Sequence, residues 1–259
     1  MMRDSWITAA ALLVALVAPA PAQTSIEGGA PSPNTLTDAE RAAGWRLLFD
    51  GRTLAGWRGL GRDTVPTAHW VVVDGAIKKV PRGAIAERSG GLPPVAGGDL
   101  MTETTFGDFE LTWEWKVAPG ANSGVKYNVS EAMSKELAGH AALGFEYQIL
   151  DDDRHPDAQM ASHRAGALYE LVPANERKRL KPVGEWNQSR VIFRGNHGEH
   201  WLNGERIVEF DLGTPVMDSL LKASKYRTIP GFGDRRRGHI VLQDHGDEVF
   251  FRNIKVRAP

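Results

Sequence analysis

The feature that most constrains the fold is a strict alternation of apolar and polar residues from Phe109 to Val117, which reads FELTWEWKV. In a β-strand, successive side chains point to opposite faces of the sheet. Every second residue of this segment would therefore face a buried interior, and Trp113 and Trp115 are predicted to be core residues. The segment predicts a long strand in a sheet with one buried face.

About a dozen shorter strand-like segments follow the same rule, among them residues 125–129, 145–150 and 167–171. Asn203-Gly204 is the strongest hairpin signal, because both residues tolerate the positive φ of a type I′ turn. Helix is predicted only near the N-terminus, where Thr37 to Glu40 forms a capping box and Gly44 a stop signal. The pattern predicts an all-β, two-sheet antiparallel sandwich with a short N-terminal helix.

Four longer segments carry no clear strand pattern, and loops of this length in a sandwich are typical of functional rims. These irregular segments are 81–99, 151–165, 173–185 and 211–238.

The first 22 residues follow the pattern of a secretory signal peptide. Arg3 precedes an apolar run that is shorter than the ~20 residues of a membrane-spanning helix, and Ala20-Pro21-Ala22 supplies a small-x-small cleavage site. Residues 23–37 are expected to be a flexible leader and residues 38–259 a single domain. We therefore expect a secreted or periplasmic protein with no membrane segment in its mature chain.

Composition excludes several function classes. The formal net charge is -1, so no overall field recruits nucleic acid. The chain has no cysteine, which excludes disulfides, thiolate zinc sites and a cysteine nucleophile.

Two distant segments, 144–155 and 238–256, carry an unusual set of polar residues on their strands. If the apolar residues of these strands and of 125–129 face the core, the alternating polar residues share the opposite face. That set is Lys126, Glu146, Gln148, Gln243 and His245. A carboxylate, a cation, two amides and an imidazole are typical of a sugar site, usually beside an aromatic platform. The candidate platforms are Tyr127, Tyr169, Trp186 and Trp201.

The loop after the second of these strands is acidic. Asp151 and Asp152, together with His155, are candidate ligands for a divalent metal ion, although no complete calcium set of six to eight oxygens is evident. The alternative is an acidic loop without metal, so no cofactor is required. Arg252 lies among apolar residues and needs a partner, for which Glu146 and Asp152 are the candidates.

The order of motifs along the mature chain resembles the 3-keto-disaccharide hydrolase family. The motifs that carry this resemblance are LFDGRTLAGW (48–57), WVVVDGAI (70–77), FGDFELTWEWKV (106–117), NSGVKY (122–127), EYQILDD (146–152), AGALYEL (165–171), KPVGEWNQSRV (181–191), HWLNGERIVEF (200–210) and HIVLQDHGDEVFFRNIKV (239–256). The resemblance implies a concanavalin A-like lectin/glucanase jelly roll with a carbohydrate groove. It also implies a secreted bacterial enzyme that cleaves glycosides oxidised at the sugar C3.

A ketone at C3 acidifies the proton at C2, so cleavage can proceed by proton abstraction, elimination and hydration. This chemistry needs one base and one group that stabilises the enolate. Glu146 or His245 is the candidate base, and Lys126 or a cation held by 151–155 the candidate stabiliser. The residues expected to bond sugar hydroxyls or support the ring are Asn122, Gln148, Tyr169, Trp186, Asn187 and Gln243.

Two other functions are compatible with the same fold. A lectin-like carbohydrate-binding module would need the amides and aromatic rings but no base beside a cation. An ordinary retaining glucanase would need two carboxylates flanking the glycosidic bond. Glu146 and Asp151 are five residues apart, so they would point to opposite faces of an unbroken strand.

Overall fold

The structure, a computed structural model, describes residues 32–86, 97–137 and 141–259. The predicted signal peptide and most of the predicted leader lie outside these residues. The strands are β1 (Arg46–Leu47), β2 (Trp57–Gly59), β3 (Trp70–Val73), β4 (Ala76–Lys79), β5 (Leu100–Thr102), β6 (Phe109–Val117), β7 (Asn122–Val129), β8 (Phe145–Leu150), β9 (Asn187–Arg194), β10 (His197–Leu202), β11 (Glu205–Asp211), β12 (His239–Leu242) and β13 (Val249–Arg257). The helices are α1 (Asp38–Ala42), α2 (Glu131–Leu137) and α3 (Pro215–Ala223), with single 3₁₀ turns at Arg82–Ala84, Pro156–Gln159, Ala161–His163 and Lys225–Thr228.

The strands form two antiparallel sheets, as the alternation predicted. The larger sheet, sheet A, has the order β11-β10-β9-β6-β13-β4-β3, with β1 also paired to β13. The smaller sheet, sheet B, has the order β2-β5-β12-β7-β8. This arrangement confirms the predicted all-β jelly-roll sandwich. None of the helices in the described part of the chain is long and apolar enough to span a membrane.

The core lies between the two sheets and is rich in aromatic rings. Trp113 of sheet A meets Tyr147 of sheet B edge to face, with ring centroids 5.0 Å apart. Trp115 is also buried, and its indole N–H donates to Ser189 Oγ at 2.8 Å. Both tryptophans are core residues, as predicted. Tyr127, a predicted sugar platform, is instead a core residue, because its hydroxyl bonds His200 Nε2 between the sheets at 2.9 Å.

Local signals in the sequence account for several turns. Thr37 caps α1 in a complete capping box, and Gly44 adopts φ +80° after the helix, as predicted. Asn203 and Gly204 have φ of 49° and 90° and join β10 to β11. Residues 167–171 were predicted to be a strand, which is wrong. They form turns closed by single bridges to Tyr147 and Val172.

Candidate functional site

The floor of the candidate site is the outer face of sheet B. Lys126 pairs in register with Glu146, and Gly124 with Gln148. The backbone N–H of Gln243, just after β12, donates to Gly124 O at 2.9 Å. The core-facing residues of β8 alternate with these polar residues, so the polar set lies on the side away from the core. The structure thus brings together the strand residues that the alternation placed on one face.

A cavity of about 360 Å³ lies above this floor, and we call it the Glu146 cavity. Its polar lining residues are Asn122, Lys126, Glu146, Gln148, Tyr169, Lys225, Tyr226, Gln243 and His245. Seven of these were predicted from the sequence, but Lys225 and Tyr226 were not. Both belong to the 3₁₀ turn that follows α3, within a segment predicted to be irregular. Thr214 is the N-cap of α3 and Pro215 is its first residue. This Thr-Pro pair is a helix-start signal that can be read from the sequence.

Glu146 is a buried carboxylate in a cavity that two lysines also line. Its side chain is 5 % exposed, and Lys126 Nζ lies 3.7 Å from its Oε2. Burial raises the pKa of Glu146, while the charges of Lys126 and Lys225 oppose that rise. Burial also lowers the pKa of Lys225, against the pull of Glu146 and Glu170. A carboxylate with a raised pKa is a stronger base than an ordinary one.

Gly124 makes room for this carboxylate. A Cβ at position 124 would collide with Glu146 Oε1, with Cγ and Cδ of the same side chain 2.9 Å away. The Glu146 side chain therefore lies across the neighbouring strand, in space that only glycine leaves free.

Two amide oxygens in the floor lack protein partners. Gln148 Oε1 and Gln243 Oε1 are buried and have no hydrogen bond among the described residues. Gln148 Nε2 makes only a long contact of 3.5 Å with Asn122 Oδ1. Buried polar atoms in proteins are usually satisfied, so these two acceptors are available to a water molecule or to a ligand that donates a hydrogen bond.

Tyr169 forms a side wall of the Glu146 cavity, and contacts with Asp157 and His163 fix its position. Its hydroxyl donates to Asp157 Oδ2 at 3.1 Å, and the His163 ring stacks on it with centroids 4.3 Å apart. His163 bridges Asp157 and Glu170 through its two nitrogens, at 2.7 and 2.8 Å. Lys225 Nζ lies 4.2 Å from the centroid of the Tyr169 ring. These contacts fix one aromatic ring and one cation at the same wall.

A second cavity of about 410 Å³ adjoins the first, and we call it the Arg82 hollow. Among the residues that the structure describes, four line both spaces: Lys126, Ala141, Gln243 and His245. The hollow also contains the buried ion pair of Lys79 Nζ with Asp244 Oδ1, 3.0 Å apart. The two cavities therefore meet at a shared wall.

His245 lies at this junction and is the most accessible of the predicted catalytic residues. Its side chain is 47 % exposed, and its Nδ1 lies 3.7 Å from Asp247 Oδ2. The His155 ring is 5.9 Å away, centroid to centroid. An imidazole held loosely at the meeting point of two cavities can reach groups in either one.

The predicted metal ligands do not form one site. Asp151 accepts backbone N–H groups from Gly120 at 2.7 Å and Asp153 at 3.1 Å. Asp152 accepts from Ala165 N–H at 2.8 Å and pairs with Lys178. These bonds occupy both acids, so the prediction that they join His155 in a metal site is wrong.

His155 instead approaches His245 and Asp247, and their candidate ligand atoms all lie within 4.8 Å of one another. However, His155 Nδ1 accepts the backbone N–H of Asp157 at 3.2 Å. In a neutral ring the proton then lies on Nε2, which opposes coordination through that atom. The group is the candidate metal centre beside the cavity, but its donor set fits a metal poorly.

Four other predicted site residues lie elsewhere. Trp186 is sandwiched beside the outer face of sheet A, with Arg252 Cζ 4.0 Å and Lys116 Nζ 5.1 Å from its ring centroid. Arg252 does not orient Glu146 or Asp152, because its Nε donates to Glu114 Oε2 at 2.7 Å.

Asn187 also lies away from the sheet B floor. Its Oδ1 accepts from Lys181 N–H at 3.0 Å and from Asn203 Nδ2 at 2.9 Å. Trp201, a candidate platform, packs under Arg190 with 4.2 Å from ring centroid to Cζ. Asn187, Trp201 and Arg252 belong to strands of sheet A and Trp186 lies beside it, whereas the cavity is built on sheet B.

The comparisons with known proteins agree over most of the chain. The sequence profile of the 3-keto-alpha-glucoside-1,2-lyase-like domain matches residues 44–257. A 3-keto-disaccharide hydrolase from Bacteroides thetaiotaomicron is 38 % identical over 236 residues, which cover 84 % of this chain and 79 % of the relative.

Solved structures show the same fold. A protein from Parabacteroides distasonis, described as a candidate glycosyl hydrolase, superposes with a TM-score of 0.74 at 30 % identity, covering 88 % of this chain and 100 % of its own. A second candidate glycosyl hydrolase from that organism gives a TM-score of 0.61 at 25 % identity, covering 83 % and 99 %. The chain therefore belongs to the family of 3-keto-alpha-glucoside-1,2-lyase-like domains, which includes the 3-keto-disaccharide hydrolase.

Proposed function

We propose that this chain hydrolyses 3-keto-glycosides by elimination and hydration, with Glu146 as the base. One observation carries the proposal. Among the described residues that line the Glu146 cavity, Glu146 is the one carboxylic acid, and its neighbours are the cations Lys126 and Lys225. Ordinary glycosidases need two carboxylates about 5–5.5 or 6.5–9.5 Å apart across the glycosidic bond. A single base beside cations suits enolate chemistry instead.

The first half of the reaction breaks the C1–O bond. Glu146 takes the proton from C2, and the C–H electron pair moves toward C3 to form an enolate. Lys126 and Lys225 stabilise the negative charge that develops on the C3 oxygen. The enolate then re-forms the C3 ketone, a C1=C2 double bond appears, and the C1 oxygen leaves with the bonding electrons.

The leaving oxygen needs a proton, and we assign that role to His245. Its position at the junction of the two cavities places it beside a group that departs from one cavity toward the other. In the second half, water adds to C1 and gives a proton to His245. Protonated Glu146 returns a proton to C2, so both residues recover their starting states and the net reaction is hydrolysis.

Hydroxyl groups of the substrate would satisfy the unpaired acceptors Gln148 Oε1 and Gln243 Oε1. Asn122 lies next to Gln148 in the same floor. Tyr169 supplies an aromatic wall beside the ring. These contacts orient the C2–H bond toward Glu146 and support proximity effects in the proton transfer.

The proposal is tested by product analysis of a 3-keto-glucoside cleaved in deuterium oxide. Elimination predicts deuterium at C2 of the released 3-keto-glucose or, where Glu146 keeps its proton between the two halves, a primary isotope effect with substrate deuterated at C2. A control incubation of the product alone measures exchange in the absence of enzyme. Cleavage with neither C2 label uptake nor an isotope effect would refute the mechanism.

The role of His245 has its own test. 4-Nitrophenolate leaves without a proton, whereas a sugar alkoxide needs one. His245→Ala should therefore lose about 10²-fold in kcat/KM on a 3-keto-disaccharide but much less on 4-nitrophenyl 3-keto-glucoside. Equal losses on both substrates would remove His245 from this role.

The alternative function is a lectin-like module that binds sugar without cleaving it, for which the unpaired amides would suffice. Calorimetric titration with unoxidised glucans, run beside the turnover assay, separates the two functions. Binding of such glucans without turnover of 3-keto-glycosides would favour the module.

The proposed location is secreted or periplasmic, on the basis of the signal-like residues 1–22. Expression of the full chain in a Gram-negative host followed by cell fractionation tests it. We expect an N-terminus at Gln23 in the exported material, and cytoplasmic retention of an uncleaved chain would contradict the assignment.

A further inference from the structure

We propose that the Arg82 hollow binds the leaving group, a second sugar ring that has not been oxidised. The oxidised ring would occupy the Glu146 cavity. This inference rests on the proposed function and adds where the second half of the substrate lies and which residues select it.

The two cavities share a wall. Lys126, Gln243 and His245 line both spaces, so the bond between two rings placed one in each cavity would cross this wall. That position puts the leaving oxygen beside His245, the group assigned to protonate it. Each cavity, at about 360 and 410 Å³, has the size of a small-molecule site and together they suit a two-ring ligand.

The two acids that line the hollow, Asp99 and Asp244, are already paired with groups of the protein. Asp244 is paired with Lys79, and its carboxylate also accepts the N–H groups of Gly98 at 3.1 Å and Gly246 at 3.0 Å. Asp99 accepts the N–H groups of Asp244 at 2.8 Å and Ala142 at 2.9 Å. The acids are therefore fully engaged by the protein, and they shape the hollow without needing a metal or a cationic ligand.

Arg82 and Gln243 supply polar groups of the hollow that remain for a ligand. Arg82 makes no ion pair with any carboxylate in the described ranges, and its guanidinium packs over Gly246, where a Cβ would lie 3.1 Å from Nη2. Its backbone is fixed by the bond from Arg82 N–H to Gly246 O at 2.8 Å. Gln243 Oε1 is an unpaired acceptor at the junction. A guanidinium donor and an amide acceptor together match the hydroxyl groups of a neutral sugar.

The test compares two oxidised substrates, a 3-keto-disaccharide and methyl 3-keto-glucoside, whose leaving group is too small to fill the hollow. The measured quantity is the ratio of kcat/KM for the disaccharide to that for the methyl glycoside. Arg82→Ala should lower this ratio about 10-fold, because the disaccharide loses a hydrogen bond from a charged group that the methyl glycoside never makes. Arg194→Ala, which removes an exposed arginine from the outer face of sheet A, should leave the ratio unchanged.

A second variant fills the hollow from its rim. Ile85 lines the hollow, and Ile85→Trp should lower the same ratio by steric exclusion. Circular dichroism and thermal unfolding verify that both variants fold. An unchanged ratio in both folded variants would overturn the inference. If wild-type protein turned over neither oxidised substrate, the proposed function itself would fail, so the two failures are distinguishable.

Discussion

The outer faces of the two sheets are built from similar residue types, but their polar side chains differ in how closely they are paired with protein partners. On sheet A, Glu114 pairs with Arg252 at 2.7 Å, and Trp186 is covered by the Arg252 guanidinium. On sheet B, Glu146 is 3.7 Å from its lysine, and the amide oxygen of Gln148 has no partner in the described chain. Polar groups that form ion pairs or hydrogen bonds with one another stabilise a surface. Polar groups that lack a hydrogen-bond partner in a cavity are available to a ligand.

The functional difference between the two faces is tested most directly by replacing one carboxylate on each face with an amide. Glu146→Gln should lower kcat/KM on a 3-keto-glucoside about 10³-fold, because general base catalysis contributes about 10²–10⁴-fold. The matched control Glu114→Gln should change kcat/KM less than about 2-fold, although it weakens the contact with Arg252. Similar losses in both variants would mean that the two faces do not differ in function.

The next largest expected effect is on stability, and it comes from a histidine in the core between the two sheets. His200 is fully buried, and burial lowers its pKa to about 4 from the ordinary 6.5. The unfolded chain therefore binds a proton that the folded chain rejects, so stability falls as the pH drops from 6.5 to 4. The loss from this residue is about 3 kcal/mol, at 1.36 kcal/mol for each pKa unit.

Denaturant unfolding of wild type and His200→Gln at pH 7 and pH 4 measures this loss. The difference between the two pH values should be smaller in the variant by about the stated amount, since the carboxylates titrate alike in both proteins. Equal pH dependence in both would show that His200 takes up its proton without unfolding the chain.

The unpaired amide of sheet B predicts opposite effects on activity and stability. Gln148→Leu removes a buried acceptor that has no partner in the described part of the chain, so the free energy of unfolding should stay equal or rise by about 1 kcal/mol. The same change removes a hydroxyl ligand and should lower kcat/KM about 10-fold. A variant that is both less stable and fully active would contradict this interpretation of the amide.

The smallest effect is expected on sheet A. Trp186→Ala removes two cation–π contacts on a partly exposed ring, each worth about 0.5–1 kcal/mol. The free energy of unfolding should fall by about 1–2 kcal/mol, with kcat/KM unchanged. Reduced turnover at wild-type stability would instead assign Trp186 to substrate binding.

Alternation alone predicted the fold and the floor of the site, because a period of two separates core residues from outward residues on every strand. It could not tell which sheet an outward residue belongs to. Trp186 and Arg252 were therefore grouped with Glu146, although Arg252 belongs to the other sheet and Trp186 packs against it. Asn187 begins β9, and its placement depends on the register of that strand against its neighbours.

The walls of the cavity were harder to predict than its floor. Lys225 and Tyr226 reach the site from the 3₁₀ turn after α3. The backbone N–H of Lys225 donates to Glu170 Oε1 at 3.1 Å, a contact between distant segments that local sequence does not encode. His155 was grouped with the adjacent acids by proximity in sequence. In the folded chain those acids are occupied by backbone N–H groups, and the histidine turns toward His245.

The absence of a side chain at position 124 has a consequence for how such proteins diverge. One nucleotide change converts a glycine codon to an alanine codon, and the added methyl group would displace the Glu146 carboxylate while leaving both floor amides in place. We expect Gly124→Ala to retain affinity for an oxidised glycoside in calorimetric titration and to lose its turnover. A scavenging enzyme and a receptor for the same sugar would then be separated by a single mutational step.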